Sequence, residues 1–164
     1  MLKTSLNKGI RLSLTVLAFC VTFVTNTITK AQEAPPIFGD VTVNRPFSSD
    51  PLTVRGMSGG SISGSKVAGR KETITGPCDG FVDQAPDHTL ELTTKFDYLK
   101  LQIQSPQDVT MIVKGPGGTW CNDDFNGKNP GMSGEWLPGN YQIWVGSYDK
   151  GQYYPYTLKI TEVK

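Results

Sequence analysis

The chain has 164 residues, 19% of them charged, with 16 Lys and Arg against 15 Asp and Glu. A balance that close gives no electrostatic case for binding nucleic acid or an anionic lipid surface. The length suits one domain with its own core.

The N-terminus reads as an address. Lys3, Lys8 and Arg11 form a basic start, and Leu12–Val24 is an apolar run. At about a dozen residues it has the length of a signal h-region and is short for a membrane span. Thr29-Lys30-Ala31 places small residues where a signal peptidase reads. Residues 1–31 are therefore expected to be a signal peptide, with no membrane anchor left after cleavage. An uncleaved anchor is the other reading. A lipoprotein reading of Leu17-Ala18-Phe19-Cys20 is weaker, because Phe19 is not small. Cleavage would remove Lys3, Lys8, Arg11 and Lys30 and no acid, leaving a net charge of about −3. The expected location is outside the cytoplasm, in the periplasm or the medium.

Loss of Cys20 leaves Cys78 and Cys121, an even pair in an exported chain, and a disulfide is expected between them. It would close a loop of about 44 residues, worth ~4 kcal/mol in the chain-entropy model. Two distant cysteines and one histidine make a poor zinc site.

Gln32–Phe38 contains Pro35-Pro36 and reads as an extended entry. Val41 and Val43 mark a short strand, and Leu52-Thr53-Val54 begins another. Gly56–Gly69 is rich in Gly and Ser but holds Ile62 and Val67, so strands joined by a mobile turn are expected there. From Gly76-Pro77 onward the alternation is plain. His88, Leu90 and Leu92 share one face; Leu99, Leu101 and Ile103 another. Val109, Met111 and Val113 follow, then Tyr141, Ile143 and Val145, then Tyr156, Leu158 and Ile160. Period two recurs between turn signals, and no long stretch after residue 31 has helical periodicity. This predicts an all-β protein, an antiparallel β-sandwich of about eight strands, jelly-roll-like. Residues 32–76 are expected to add strands to a sandwich built mainly from residues 77–164.

The stretch Gly115–Gly134, GPGGTWCNDDFNGKNPGMSG, holds the densest group of oxygen-bearing side chains. Asn122, Asp124 and Asn126 stand at alternate positions, with Gly127 next. That is the first half of a calcium loop, in which Gly supplies the sharp turn and oxygens satisfy a hard cation. The twelfth position is Ser133 rather than Glu, so this is not an EF-hand. Two readings stand. In one, Asn122, Asp123, Asp124 and Asn126 hold one Ca²⁺. In the other, these side chains cap their own backbone in a polar turn.

No catalytic constellation emerges. Gly56-Met57-Ser58-Gly59-Gly60 formally matches G-x-S-x-G, but Ser- and Gly-rich sequence follows it, the chain is too short for an α/β-hydrolase, and a serine-protease Ser-Gly-Gly would need its histidine upstream whereas His88 lies downstream. His88 reads as a partly buried or edge histidine. Asp123-Asp124 could be an acid/base pair only in a loop, because strand neighbours face opposite ways. The C-terminal half is rich in aromatic rings. Trp144 alternates out of step with Tyr141, Ile143 and Val145, which predicts an outward position. With Trp136 and Tyr148 it is the expected ligand face, since amphipathic rings stack on sugar planes. Core packing is the other reading of these rings.

The stretches CDGFVDQAPDHTLEL, FDYLKLQIQSPQDVTMIVKGPGGTWCNDDFNGKNPG and GNYQIWVGSYDKGQYYPYTLKITE resemble the bacterial pre-peptidase C-terminal domain, in the form common in small exported cyanobacterial proteins. The resemblance covers Cys78–Val163. It implies a β-sandwich, usually an accessory module beside a secreted peptidase, and some members bind calcium or assist substrate adhesion. Within these 164 residues no peptidase sequence is read ahead of the module. The function expected is therefore an exported, non-catalytic binding or accessory module, calcium-stabilised, with an unknown protein or polysaccharide partner. The alternatives are a small exported hydrolase or peptidase-associated remnant, and an envelope structural protein.

Overall fold

The alternating segments form two facing sheets. The structure, a computed structural model, describes residues 34–47 and 49–163. The expected signal peptide, residues 1–31, and Cys20 lie outside the described residues. The strands are β1 (Asp40–Val43), β2 (Leu52–Met57), β3 (Ile62–Ser63), β4 (Glu72–Thr73), β5 (Gly76–Pro77), β6 (Phe81–Val82), β7 (His88–Leu92), β8 (Phe96–Gln104), β9 (Val109–Gly115), β10 (Gly118–Asn122), β11 (Gly131–Trp136), β12 (Gly139–Ser147) and β13 (Pro155–Thr161). A single short helix among the described residues, α1 (Gly64–Ala68), lies between β3 and β4.

The larger sheet has seven strands and turns on β12. One side of β12 pairs with β9, from Gln142↔Lys114 to Ser147↔Val109. Its other side pairs first with β7, then with β6 at Ser147↔Phe81. β10 adds to β9, β3 to β6, and β1 to β7. The β1–β7 pair is parallel, a departure from the all-antiparallel expectation. The smaller sheet has four antiparallel strands in the order β11-β8-β13-β2. The sheets exceed the expected strand number partly through β3 and β6, whose two residues each are too few to show alternation.

The core fills the space between the sheets. Leu90, Leu92, Met111, Val113, Tyr141, Ile143 and Val145 come from the larger sheet, and Phe96, Leu99, Leu101, Ile103, Leu158 and Ile160 from the smaller. The phase of β8 slips between Phe96 and Leu99, where its pairing with β11 carries an irregularity at Gly134/Trp136. Such a bulge keeps both Phe96 and Leu99 on the buried side.

Between β3 and β6, residues 64–80 form an excursion over the outer face of the larger sheet, where the sequence suggested strands about a mobile turn. β3 is brief, α1 ends at Gly69 in the left-handed conformation (φ 74°), and β4–β5 make a small hairpin. Five helical residues are too few to display a helical period, which is why the pattern did not reveal α1. Beneath the excursion Ala68, Cys78 and Val82 pack on Ile112, Cys121 and Trp144 as a second apolar cluster. Cys78 and Cys121 are disulfide-bonded, with Cα atoms 5.0 Å apart, and both are buried.

Candidate functional site

The loop from Asn122 to Gly131 is tied down by its first residue. Asn122 Nδ2 donates to the Thr75 carbonyl (2.8 Å), and its Oδ1 accepts from the Gly131 N–H (3.0 Å). That carboxamide joins β10 to the turn after β4 and to the start of β11. It is a structural tie rather than a free oxygen donor. Farther along, Asn126 and Asn129 exchange backbone hydrogen bonds (3.0 and 3.3 Å), and Asn129 Oδ1 accepts from the Ser105 N–H at 2.9 Å. Asp124 and Asn126 are exposed, whereas Asp123 is half-buried. Burial raises the Asp123 carboxyl above its ordinary range, and the negative charges of Asp124, Asp79 and Asp108 push it further the same way. These carboxylates are near enough to repel. Among the described residues, however, no three of His, Cys, Asp or Glu are grouped closely enough to hold a metal ion. Of the four residues read as a calcium set, the structure leaves Asp123, Asp124 and Asn126 together on the loop and holds Asn122 apart.

The expected aromatic face is divided. Trp144 does point away from Tyr141, Ile143 and Val145, as its phase requires. That face is covered, because Ala68 and the disulfide lie over the ring, and Trp144 is only 5% exposed. Lys114 Nζ sits 5.9 Å from the Trp144 ring centre and donates to the Val67 carbonyl at 3.0 Å, closing the cover. Trp136 is 7% exposed, and its Nε1 donates to the Leu99 carbonyl (3.0 Å). Tyr148 is half exposed and does not line the same cavity as Trp136. The local alternation gave the direction of Trp144 correctly. The excursion that covers it is a tertiary contact from about 65–80 residues upstream, which no local pattern carries.

A different group of rings lines a cavity. β10 and β11 are the edge strands of their sheets on one side of the sandwich. A slit of about 290 Å³ opens there, lined by Trp120, Met132, Glu135, Trp136, Leu137 and Tyr141. Trp120 and Trp136 stand 6.4 Å apart, tilted by 39°, and Trp136 meets Tyr141 edge-on at 5.0 Å. Tyr141 donates its hydroxyl to the Leu137 carbonyl (2.8 Å), which holds the far wall. Trp120 is half-buried and Leu137 is exposed, so the slit presents both to solvent. Leu137 and Trp120 are absent from the sequence-read ligand face. The only local signal was the odd phase of Trp120 beside Cys121 in a strand that opens at Gly118.

A broader concavity of about 670 Å³ lies over the outer face of the larger sheet. Register aligns Asp40, Thr89, Gln142, Lys114 and Thr119 in one row across five strands. It offers hydrogen-bonding groups but no stacking ring.

The G-x-S-x-G segment and the histidine belong to the interior. Ser58 and His88 are both 0% exposed. Ser58 Oγ is 2.9 Å from Ser147 Oγ and accepts from the Tyr154 N–H (3.2 Å), so it ties β2 to the larger sheet. Asp87, 2% exposed, accepts from the Val145 N–H through Oδ2 (2.8 Å) and lies 3.2 Å from Tyr156 Oη through Oδ1. Tyr156 Oη is 2.9 Å from His88 Nε2. Burial raises the Asp87 pKa to about 7, against hydrogen bonds that pull it down. Ser58, Asp87 and His88 are thus all buried away from solvent.

No family model matches the chain. An uncharacterized protein of Synechococcus elongatus is 29% identical to it over 114 residues, which cover 67% of this chain and 75% of the relative. Among solved structures, the pre-peptidase C-terminal domain of the Bacillus anthracis collagenase is similar over 79% of this chain and all of that one, with a TM-score of 0.46 and 13% identity. That is the family whose resemblance the sequence carries over Cys78–Val163.

Proposed function

We propose that this chain is an exported, non-catalytic binding module whose ligand enters the aromatic slit between β10 and β11. The observation that supports the reading is Trp120: a half-buried indole beside an exposed Leu137, over a floor of Trp136 and Tyr141. An apolar ring wall with a few polar groups at its rim, here Glu135 and Ser133, suits the stacking of a pyranose ring or a rigid apolar side chain. A polysaccharide is the partner class favoured. Burial of Ser58 and His88 supports the non-catalytic half of the proposal, and the disulfide fits an oxidising compartment.

Calcium enters this proposal through Asp123, Asp124 and Asn126, with water completing the oxygen shell. Its support is the repulsion that Asp124, Asp79 and Asp108 exert on the half-buried Asp123 carboxylate, which a divalent cation would relieve. Bound there, it would stiffen the loop that leads into β11.

Titration of the oxidised protein with a panel of soluble glycans, read by tryptophan emission and calorimetry, tests the binding reading. A saturable signal abolished in Trp120→Ala, with the melting temperature kept, is the expected result. A glycan that binds Trp120→Ala as well as the parent chain moves the site elsewhere; no binding across the panel withdraws the polysaccharide.

A further inference from the structure

Three ionisable side chains from both sheets meet in the core. Asp87 and His88 stand at the start of β7 in the larger sheet, and Tyr156 comes from β13 in the smaller. Their polar atoms form one line: Asp87 Oδ1, Tyr156 Oη at 3.2 Å, then His88 Nε2 at 2.9 Å. The second ring nitrogen, His88 Nδ1, is buried with no hydrogen-bond partner. A buried polar atom left unpaired costs free energy and calls for a reason.

We propose that Asp87, Tyr156 and His88 form a proton wire with two end states, loaded at the unpaired Nδ1 of His88 and discharged into the Asp87 carboxylate. In the first state Asp87 is ionised. The tyrosine hydroxyl donates to Asp87 Oδ1, His88 Nε2–H donates to Tyr156 Oη, and Nδ1 is bare. A proton from water binds Nδ1. The Nε2 proton passes to Tyr156 Oη, and the tyrosine proton passes to Asp87 Oδ1. The second state then has a neutral carboxylic acid, a tyrosine that donates to Nε2, and a ring protonated at Nδ1. One proton is gained, both hydrogen bonds are reversed, and no heavy atom has to move.

The hydroxyl has a single proton to give, so it can donate to only one neighbour at a time. Ionisation of Asp87 and the tautomer of His88 are coupled for that reason. The environment favours the states required of the histidine and the tyrosine. Burial lowers the His88 pKa, which favours the neutral ring, while the nearby Gly39 backbone, outside hydrogen-bond geometry, acts the other way. Burial, then the negative charge of Asp87, raises Tyr156 far above its ordinary value, so it keeps its proton. The group left to titrate is Asp87. Its carboxyl is opposed by the like charge of Asp83, while β12 contributes the Val145 N–H that favours the anion. The imidazole lies beside the strap before β1. There the Phe38 ring centre is 6.0 Å from the imidazole, and the Phe38 N–H donates to the Asp87 carbonyl at 2.8 Å.

His88 is the only histidine in the chain, so its ring nitrogens can be read without assignment. The test is a nitrogen-15 NMR titration of the histidine-labelled protein from pH 5 to 9. The expected result is a neutral ring throughout that changes from Nδ1–H to Nε2–H with a midpoint near pH 7. Asp87→Asn, whose amide donates to Tyr156 at every pH, should hold the ring as Nδ1–H. Tyr156→Phe should make the tautomer independent of pH. A ring that keeps one tautomer across the range, or becomes imidazolium within it, overturns the proposal. The parent-chain titration decides the matter if either variant fails to fold.

Discussion

Tyr156 lies over Gly56, its register partner across β2 and β13, so closely that a methyl group at position 56 would overlap the phenol. The missing side chain on β2 is the seat that lets the ring reach Asp87 and His88. Gly56→Ala should push the ring off this seat and cost about 1–3 kcal/mol, the usual range for overpacking a filled core. A urea melt should show a lower midpoint with an unchanged slope. An unchanged midpoint would mean that the phenol has room to move.

The buried acid fixes a direction of pH dependence. Asp87 has a folded pKa of about 7 against an ordinary 3.8. Between those values the folded chain holds a proton that the unfolded chain has released. The stabilisation is full below about pH 4, falls as the pH rises, and is gone above about pH 7. Roughly three pH units at 1.36 kcal/mol each set a ceiling on the order of 4 kcal/mol. Asp87→Asn should remove this slope. The measurement is the difference in unfolding free energy between parent and variant at pH 4.5, 6 and 8. A constant difference would show that Asp87 does not carry the titration.

Reduction of the Cys78–Cys121 bond, 43 positions apart in sequence, should cost about 4 kcal/mol, more for the reduced chain's freedom than for lost contacts. It should also loosen the cover over Trp144. Emission of the reduced protein should shift to the red, and acrylamide quenching should rise. If the cover holds through α1 and the Lys114–Val67 bond alone, the melting temperature will fall without the spectral change.

Calcium at the Asp123–Asn126 loop should raise the melting temperature of the oxidised protein relative to chelator. Saturation at a hundred times the dissociation constant adds about 2.7 kcal/mol. The increment should vanish in Asp124→Ala and persist in Asn122→Asp, because Asn122 serves Thr75 and Gly131 rather than the cation. Equal melts with and without calcium reduce the segment to a turn.

The strands were most legible where they bury a single face, as β8 and β13 do. Leu99, Leu101 and Ile103 alternate with half-buried or exposed neighbours, and so do Tyr156, Leu158 and Ile160. The disulfide was expected from the two cysteines that remain once residues 1–31 are read as a signal peptide. What escaped was set by contacts distant in sequence. Trp144 is hidden by a segment whose own pattern, rich in Gly and Ser, does not announce a cover. Asn122 looked like a ligand because its spacing to Asp124 and Asn126 was right. Its two hydrogen bonds, 47 and 9 positions away, place it in the framework. Ser58 and His88 resisted a catalytic reading on sequence order, and the structure adds that neither reaches the surface.

The exposed edge of β10 has a consequence of its own. Cys121 turns its main-chain N–H and carbonyl outward, and both are taken by threonine hydroxyls. Thr73 Oγ1 accepts the N–H at 3.0 Å, and Thr75 Oγ1 donates to the carbonyl at 2.8 Å. A strand edge normally advertises such groups as a template on which a stray chain can add. Here a small hairpin answers them with side chains. A foreign β-strand approaching at Cys121 would have to break both bonds before it could form its own. The excursion thus does for the aromatic side of the sandwich what a terminal charge or proline does elsewhere: it lets two tryptophans sit beside a sheet margin without inviting the molecule to polymerise.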